Sequence, residues 1–145
     1  MEIPDPEPGL VIRYAYLWRS EHMRGLEEGR KDRPCAIVLA VAKDEGETRV
    51  AVAAITHSPP QGDTIAISVP PLTSKRLGLD DEPKWIVISE VNIFTWPGPD
   101  LRPVSGRQPK TIAYGILPER LTSQLINQAR ENLQRRQTRV VERDT

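Results

Sequence analysis

The sequence contains a single cysteine, Cys35, so no disulfide can form within the chain. This scarcity is typical of proteins from a reducing compartment, and we expect a cytoplasmic protein. No apolar run approaches the roughly 18 residues of a membrane-spanning helix, and the acidic, proline-rich start does not resemble a signal peptide. Basic and acidic residues number 20 each, and this balance argues against a strongly basic nucleic-acid-binding domain.

Signatures of metal and cofactor sites are missing as well. No spacing of cysteine and histidine indicates zinc, and neither a phosphate-binding glycine loop nor a dinucleotide fingerprint is present. A nucleophile elbow is also absent. We therefore expect no metal and no organic cofactor, so that any catalysis would depend on ordinary side chains.

The chain is long enough for one domain built around one core. Prolines crowd residues 1–8 and predict a flexible lead, because proline resists regular structure. We expect the folded domain to extend over residues 9–133. Residues 134–145 are predicted to form a frayed basic tail.

Short apolar runs, several of them alternating with polar residues, predict a series of β-strands. They lie at residues 10–18, 34–43, 48–56, 64–70, 84–96 and 111–116. A helix is predicted to follow, beginning at Pro118 and carrying an apolar stripe. The stripe consists of Leu121, Leu125, Ile126, Ala129 and Leu133. This order predicts a mainly β fold with α, namely a small barrel with a C-terminal helix.

The two apolar strands at 34–43 and 48–56 are predicted to form a hairpin around a four-residue turn. The preferred register places Val41 opposite Val50, because it collects apolar side chains on one core face. That face would consist of Cys35, Ile37, Leu39, Val41, Val50, Val52 and Ala54. The alternative register, shifted by one residue, places Val41 opposite Arg49.

The preferred register brings Arg33 and Thr56 together at one end of the hairpin. They would be diagonal neighbours, about 7–8 Å apart at the backbone and within reach of a long side chain. Ser58 would lie opposite Arg33, whereas in the shifted register His57 would take the place of Thr56. In both registers, a guanidinium meets a hydroxyl or an imidazole beside the long polar loop at residues 19–32.

Arginine and threonine side by side are suited to holding a phosphate. The guanidinium of Arg33 offers a planar fork of donors to two phosphate oxygens, and Thr56 can donate one more hydrogen bond. Glu28 and Glu27 are candidate proton acceptors near this pair, and His57 is a candidate base or acid. Such a set could cleave a phosphodiester by deprotonating a ribose 2′-hydroxyl while Arg33 stabilises the charge at phosphorus. The predicted RNA contacts are Arg24, Arg30, Lys31 and Ser58.

Four segments of the chain look familiar: GLVIRYAYLW, EEGRKDRPCAIVLAV, VAVAAITHS and WIVISEVNIFTW. Their most specific features are Arg33-Pro34 at the opening of one apolar strand and AAIT at the close of the next. In these features the chain resembles the PemK/MazF toxins of type II toxin–antitoxin systems. The resemblance covers roughly residues 9–133.

The resemblance implies an SH3-like, PemK/CcdB-type barrel with a C-terminal helix that forms a homodimer. It also implies a toxin that cuts single-stranded RNA without a metal. An antitoxin protein would neutralise this toxin. The products would carry a 2′,3′-cyclic phosphate and a 5′-hydroxyl. By position, the family's catalytic arginine would be Arg33, its threonine Thr56 and its loop glutamate Glu28.

Two other functions remain open. One is a toxin of the CcdB type, which poisons gyrase through residues of its C-terminal helix and needs no phosphate-binding pair. The other is an inactive barrel that only binds RNA or protein. The presence of both Arg33 and Thr56 favours the endoribonuclease.

Overall fold

A computed structural model describes residues 1–25 and 31–143, which form eight strands and three α-helices. The strands are β1 (Leu10–Tyr14), β2 (Arg33–Ala42), β3 (Thr48–Thr56), β4 (Ala66–Ser68), β5 (Trp85–Val87), β6 (Glu90–Thr95), β7 (Ala113–Ile116) and β8 (Arg139–Glu142). The helices are α1 (Arg19–Met23), α2 (Pro71–Arg76) and α3 (Glu119–Gln134). The predicted mainly β fold with α-helices is confirmed.

Several predicted boundaries move. The first strand ends at Tyr14, earlier than predicted. The segment 84–96, for which the sequence allows one long bent strand or two short ones, forms the two strands β5 and β6. The polar segment 19–32 was predicted to be a loop throughout, but it opens with the short helix α1. In α1, the Glu21 carboxylate accepts a hydrogen bond from the Trp18 backbone N–H at 3.1 Å, which satisfies one of the free donors at the start of a helix.

Strand β3 is central to the sheet, whose main path runs β4-β5-β3-β2-β1-β7. One edge of β3 pairs with β2, and its other edge is shared by β6 along the first half and by β5 along the last two residues. Strand β8 adds to β6 in parallel, while the other pairings are antiparallel. The C-terminal end of β3 therefore lies where β2 begins and β5 begins.

The hairpin of β2 and β3 is confirmed, but the preferred register is wrong. Val41 lies opposite Arg49, as in the shifted alternative. The register shifts once more around Val38, so that Cys35 faces Ala54. A β-bulge of this kind places one extra residue in a strand and moves the following side chains to the other face of the sheet.

Both faces of the hairpin are buried, which explains why its apolar pattern gave the wrong register. One face contributes to a core with α3, and this core includes Ala36, Ala53 and Ile55. The opposite face contributes Cys35, Ile37, Val50, Val52 and Ala54 to a second core, together with β1 and Phe94. Beyond the bulge, Leu39 is 49% exposed and Val41 is 37% exposed, so their predicted place in the core is wrong.

Helix α3 begins at Glu119, one residue after the predicted start at Pro118, and it covers the first core. Leu121, Leu125 and Ala129 are buried as predicted, whereas Leu133 is half exposed. Burial of this apolar stripe holds the helix on the sheet. Within the described part of the chain, no helix combines the length and the apolar character that crossing a bilayer requires.

The prediction of a frayed tail at the C-terminus is wrong. Residues 139–142 form β8, and Arg143 just beyond it is buried. Its guanidinium donates to the carboxylate of Asp100 at 2.9 Å and to Asn92 Oδ1 at 3.1 Å. A buried arginine needs such partners, because removing a charge from water is costly. The C-terminal segment is therefore held by the pairing of β8 with β6 and by the buried contacts of Arg143.

Candidate functional site

A groove of about 860 Å³ opens where β3 ends and β2 begins. We call it the first groove. The side chains on its walls that can carry chemistry include Trp18, Lys31, Asp32, Arg33, Thr56, His57, Ser58, Asp63, Glu90 and Arg139. A groove of this size is typical of ligand-binding sites, which span about 300–1,000 Å³.

Arg33, the first residue of β2, is half-buried in this groove and pairs with Tyr14 of β1. Its guanidinium carbon lies 5.2 Å from the centre of the Trp18 ring, an attractive cation–π distance. No described residue forms a hydrogen bond with its buried Nε. Among the described residues, no carboxylate comes within ion-pair distance of Arg33, so its charge is available to an anion.

Thr56, the last residue of β3, reaches the same groove and pairs with Trp85 of β5. Its hydroxyl oxygen accepts a hydrogen bond from the backbone N–H of Ser58 at 3.2 Å. The hydroxyl proton of Thr56 is then free to be donated to a bound group. Continuing the pairing of Cys35 with Ala54 by two residues sets Arg33 opposite Thr56, a closer arrangement than the predicted diagonal.

His57 lies at the rim, and its imidazole is turned toward acidic side chains of the segment between α2 and β5. Its Nε2 lies 3.0 Å from Asp80 Oδ2 and 3.5 Å from a Glu82 carboxylate oxygen. If Nε2 carries the proton donated to Asp80, Nδ1 is the basic nitrogen of the neutral ring. The sequence gave no sign of Asp80 as a partner, since 23 residues separate it from His57.

The three side chains His57, Asp80 and Glu82 form a cluster whose ligand atoms all lie within 4.8 Å of one another. A metal ion is nevertheless a poor fit. The ammonium of Lys84 lies 2.7 Å from Asp80 Oδ1, and this hydrogen bond is the main reason that the pKa of Asp80 is lowered. The positive charge that a cation would supply is already provided by the lysine.

Glu90, the first residue of β6, is a carboxylate in the groove that the sequence did not single out as a catalytic group. It accepts hydrogen bonds from the Tyr16 hydroxyl at 2.9 Å and from the Arg19 backbone N–H at 3.1 Å. The pKa of Glu90 is raised, because the effect of burial exceeds the opposing effect of these donors. The sequence does offer one sign that Glu90 is unusual, because a carboxylate stands here in an otherwise apolar strand.

The remaining predicted residues divide into three groups. Lys31 and Ser58 lie on the first groove, and their role as RNA contacts stays a prediction. Arg24 is exposed at the end of α1 and is not among the residues that line the groove. Glu27, Glu28 and Arg30 lie outside the described residues.

Charges of both signs surround the groove. Lys31, Arg33 and Arg139 are its cations, and Arg139 is paired with Asp63 at 3.5 Å. Cys35, next to this surface in sequence, is fully buried, and burial raises the pKa of its thiol. A thiol held in its neutral form is a weak nucleophile, so Cys35 is a poor candidate for a reactive group of the first groove.

Comparisons of the chain with protein-family models, with curated proteins and with solved structures gave no match. Membership of the PemK/MazF family therefore stays a prediction. Function is inferred from the residues and geometry of the groove.

Proposed function

We propose that this protein is a metal-independent endoribonuclease that cuts single-stranded RNA, and that it acts as the toxin of a type II toxin–antitoxin pair. The observation that carries the proposal is the position of Arg33 and Thr56 on one groove, with the guanidinium free of any described carboxylate. An SH3-like barrel, a homodimer and a separate antitoxin protein belong to the same proposal, through the resemblance to PemK/MazF toxins.

The proposed reaction needs a group that holds the scissile phosphate. The guanidinium of Arg33 binds two of its non-bridging oxygens, and the Thr56 hydroxyl donates to one of them. As the ribose 2′-oxygen attacks, negative charge grows on these oxygens. Donors already in place stabilise that charge without reorganisation, which is where most of the rate enhancement would come from.

The reaction also needs a proton acceptor and a proton donor. We assign the acceptor to Glu90, which takes the proton of the 2′-hydroxyl as the new bond to phosphorus forms. The bond from phosphorus to the 5′-oxygen then breaks, and His57, which must enter the reaction in its protonated form, donates a proton to that oxygen. The products are a 2′,3′-cyclic phosphate and a 5′-hydroxyl. Both assignments use side chains on the first groove.

The pH dependence of cleavage should reveal Glu90. Only its ionised form can accept a proton, and burial raises the pKa of this carboxyl above its ordinary value. We therefore expect the acidic limb of the rate profile to rise with pH through that raised pKa. Glu90→Gln should abolish this rise and lower the maximal rate by about 100-fold. Single-turnover rates from about pH 4 to pH 8 measure both effects.

The control for this prediction is Glu47→Gln, at an exposed site, which should leave the pH profile unchanged. Stability gives a second control. Because the folded-state pKa of Glu90 is raised, its contribution to stability is present below the ordinary glutamate pKa and is lost as the pH rises through the raised one. Glu90→Gln should therefore not unfold more easily at neutral pH. An unchanged pH profile in Glu90→Gln would remove Glu90 from the mechanism.

The proposed function is tested by incubating the purified protein with a long single-stranded RNA in the presence of EDTA. We expect discrete fragments whose 3′ ends carry cyclic phosphates and whose 5′ ends accept phosphate from polynucleotide kinase without prior dephosphorylation. Binding of the RNA without cutting would favour an RNA-binding barrel instead. Fragments that disappear when EDTA is added would contradict metal-independent cleavage.

A further inference from the structure

A second groove of about 420 Å³ lies beside the first and shares part of its wall. Asp32, Pro34, Ile55, Thr56 and His57 line both. The rest of the second groove is formed by the segment between α2 and β5, by the segment that leads from β6 into β7, and by Arg13 of β1 and Tyr114 of β7. The two grooves meet at Thr56, which the proposed function places on the scissile phosphate. An RNA strand bound at Thr56 could therefore continue into the second groove.

The wall of the second groove contains a stacked arginine and tyrosine. The guanidinium carbon of Arg107 lies 5.9 Å from the centre of the Tyr114 ring, and both side chains are half-buried. Hydrogen bonds to the carbonyl oxygens of Leu77 and Tyr114, at 2.9 and 3.0 Å, fix the guanidinium in place. Planar guanidinium and aromatic groups of this kind are the surfaces on which unpaired bases stack.

The charge of Arg107 supports an anionic ligand. Its hydrogen bonds go to neutral carbonyl groups, and within residues 1–25 and 31–143 no carboxylate lies within ion-pair distance of it. Arg13, also on this groove, donates to the Ser105 hydroxyl at 2.6 Å and lies 3.8 Å from Asp32. A nucleotide would suit this wall, because its phosphate could approach the charge of Arg107 and its flat base could stack on the Arg107–Tyr114 pair.

We propose that the second groove is a nucleotide subsite, which holds the base next to the cleaved bond against Arg107 and Tyr114 and so contributes to the choice of cut site. This inference rests on the proposed function for its substrate, RNA. The volume of the second groove lies near the lower end of ligand-pocket sizes, which span about 300–1,000 Å³. A groove of this volume suits one nucleotide better than several.

Binding and cleavage are measured separately, so that the two proposals can fail independently. The binding probe is a fluorescein-labelled, random-sequence 2′-O-methyl RNA octamer, which offers bases and phosphates but no free 2′-hydroxyl for the attack. We expect Tyr114→Leu to raise the Kd of this probe about tenfold, the equivalent of one lost base stack. Tyr114→Phe retains the ring and should remain within about twofold of the parent protein.

Ile116→Ala is the matched control, because Ile116 is an exposed apolar residue of the same strand, β7, and does not line the groove. The parent protein is also cross-linked by ultraviolet light to the octamer carrying 4-thiouridine, a measurement that does not depend on any variant folding. We expect a labelled peptide that contains Tyr114. Labelling confined to peptides of the first groove would overturn the subsite.

The outcomes separate cleanly. Cleavage of RNA by the parent protein, with equal octamer affinity in the parent and Tyr114→Leu, would overturn the subsite and leave the endoribonuclease in place. Octamer binding that depends on the Tyr114 ring, without any cleavage, would retain the subsite and overturn the proposed reaction. No binding and no cleavage would overturn both.

Discussion

Arg33→Ala should lower the rate of RNA cleavage by about 100-fold to 1,000-fold, the cost of removing one donor that stabilises transition-state charge. Arg33 is the cation of the first groove best placed for this role. It has no carboxylate partner among the described residues, and the Trp18 ring holds one face of its guanidinium at 5.2 Å. Single-turnover cleavage of an RNA containing one mapped cut site measures the effect.

Two further variants separate charge from shape. Arg33→Lys keeps the positive charge and loses the planar fork, so it should recover only a small part of the rate. Arg120→Ala removes an exposed arginine of α3 that lies on neither groove, and it should cleave at the parental rate. Parental cleavage by Arg33→Ala would show that the guanidinium does not act on the phosphate.

Arg143→Met should lower the free energy of unfolding by about 3–5 kcal/mol, the usual cost of removing one partner of a buried ion pair. The side chain of Arg143 is only 4% exposed and that of Asp100 is 11% exposed. The guanidinium also donates to the carbonyl oxygen of Ala15 at 3.0 Å and to Asn92 at 3.1 Å. Methionine fills much of the space but leaves the carboxylate without this partner. Equilibrium unfolding in urea measures the loss.

The matched control is Arg135→Met, since Arg135 forms an ion pair with Glu131 in which both side chains are more than half exposed. Exposed pairs of this spacing contribute about 0.3–0.5 kcal/mol, so the control should be close to neutral. The double variant Arg143→Met, Asp100→Leu should regain part of the stability, because it removes the carboxylate as well. A change below about 1 kcal/mol in Arg143→Met would mean that the tail is not held as described.

The β2–β3 hairpin illustrates what the sequence could and could not predict. Two apolar runs joined by a short polar turn were sufficient to predict the pair of strands. Register was not predictable from that pattern, because side chains on both faces of the hairpin are buried in separate cores. The bulge around Val38 left no signal in the sequence, since valine fits a regular strand equally well.

The candidate site likewise combines features that the sequence could predict with features that it could not. Arg33 and Thr56 were expected together from their positions at the ends of adjacent strands. They lie on one groove although the register was wrong, because the bulge adds a second one-residue shift and two such shifts return both side chains to the same face. The partners of His57 and Arg143 were not predictable. Asp80 and Asp100 are distant in sequence from these side chains, and only the packing of several strands and loops brings them into contact. Whether the site cuts RNA stays a proposal.

The central claim, that a ribose 2′-hydroxyl attacks the phosphate held by Arg33 and Thr56, is tested most directly with a pair of short oligonucleotides in EDTA. Both contain one mapped cut site, and one has a single 2′-deoxy sugar immediately before the scissile phosphate. We predict cleavage of the all-ribose strand to a cyclic phosphate and no cleavage of the deoxy strand. Equal cleavage of the two would contradict the account, because the deoxy strand lacks the attacking oxygen.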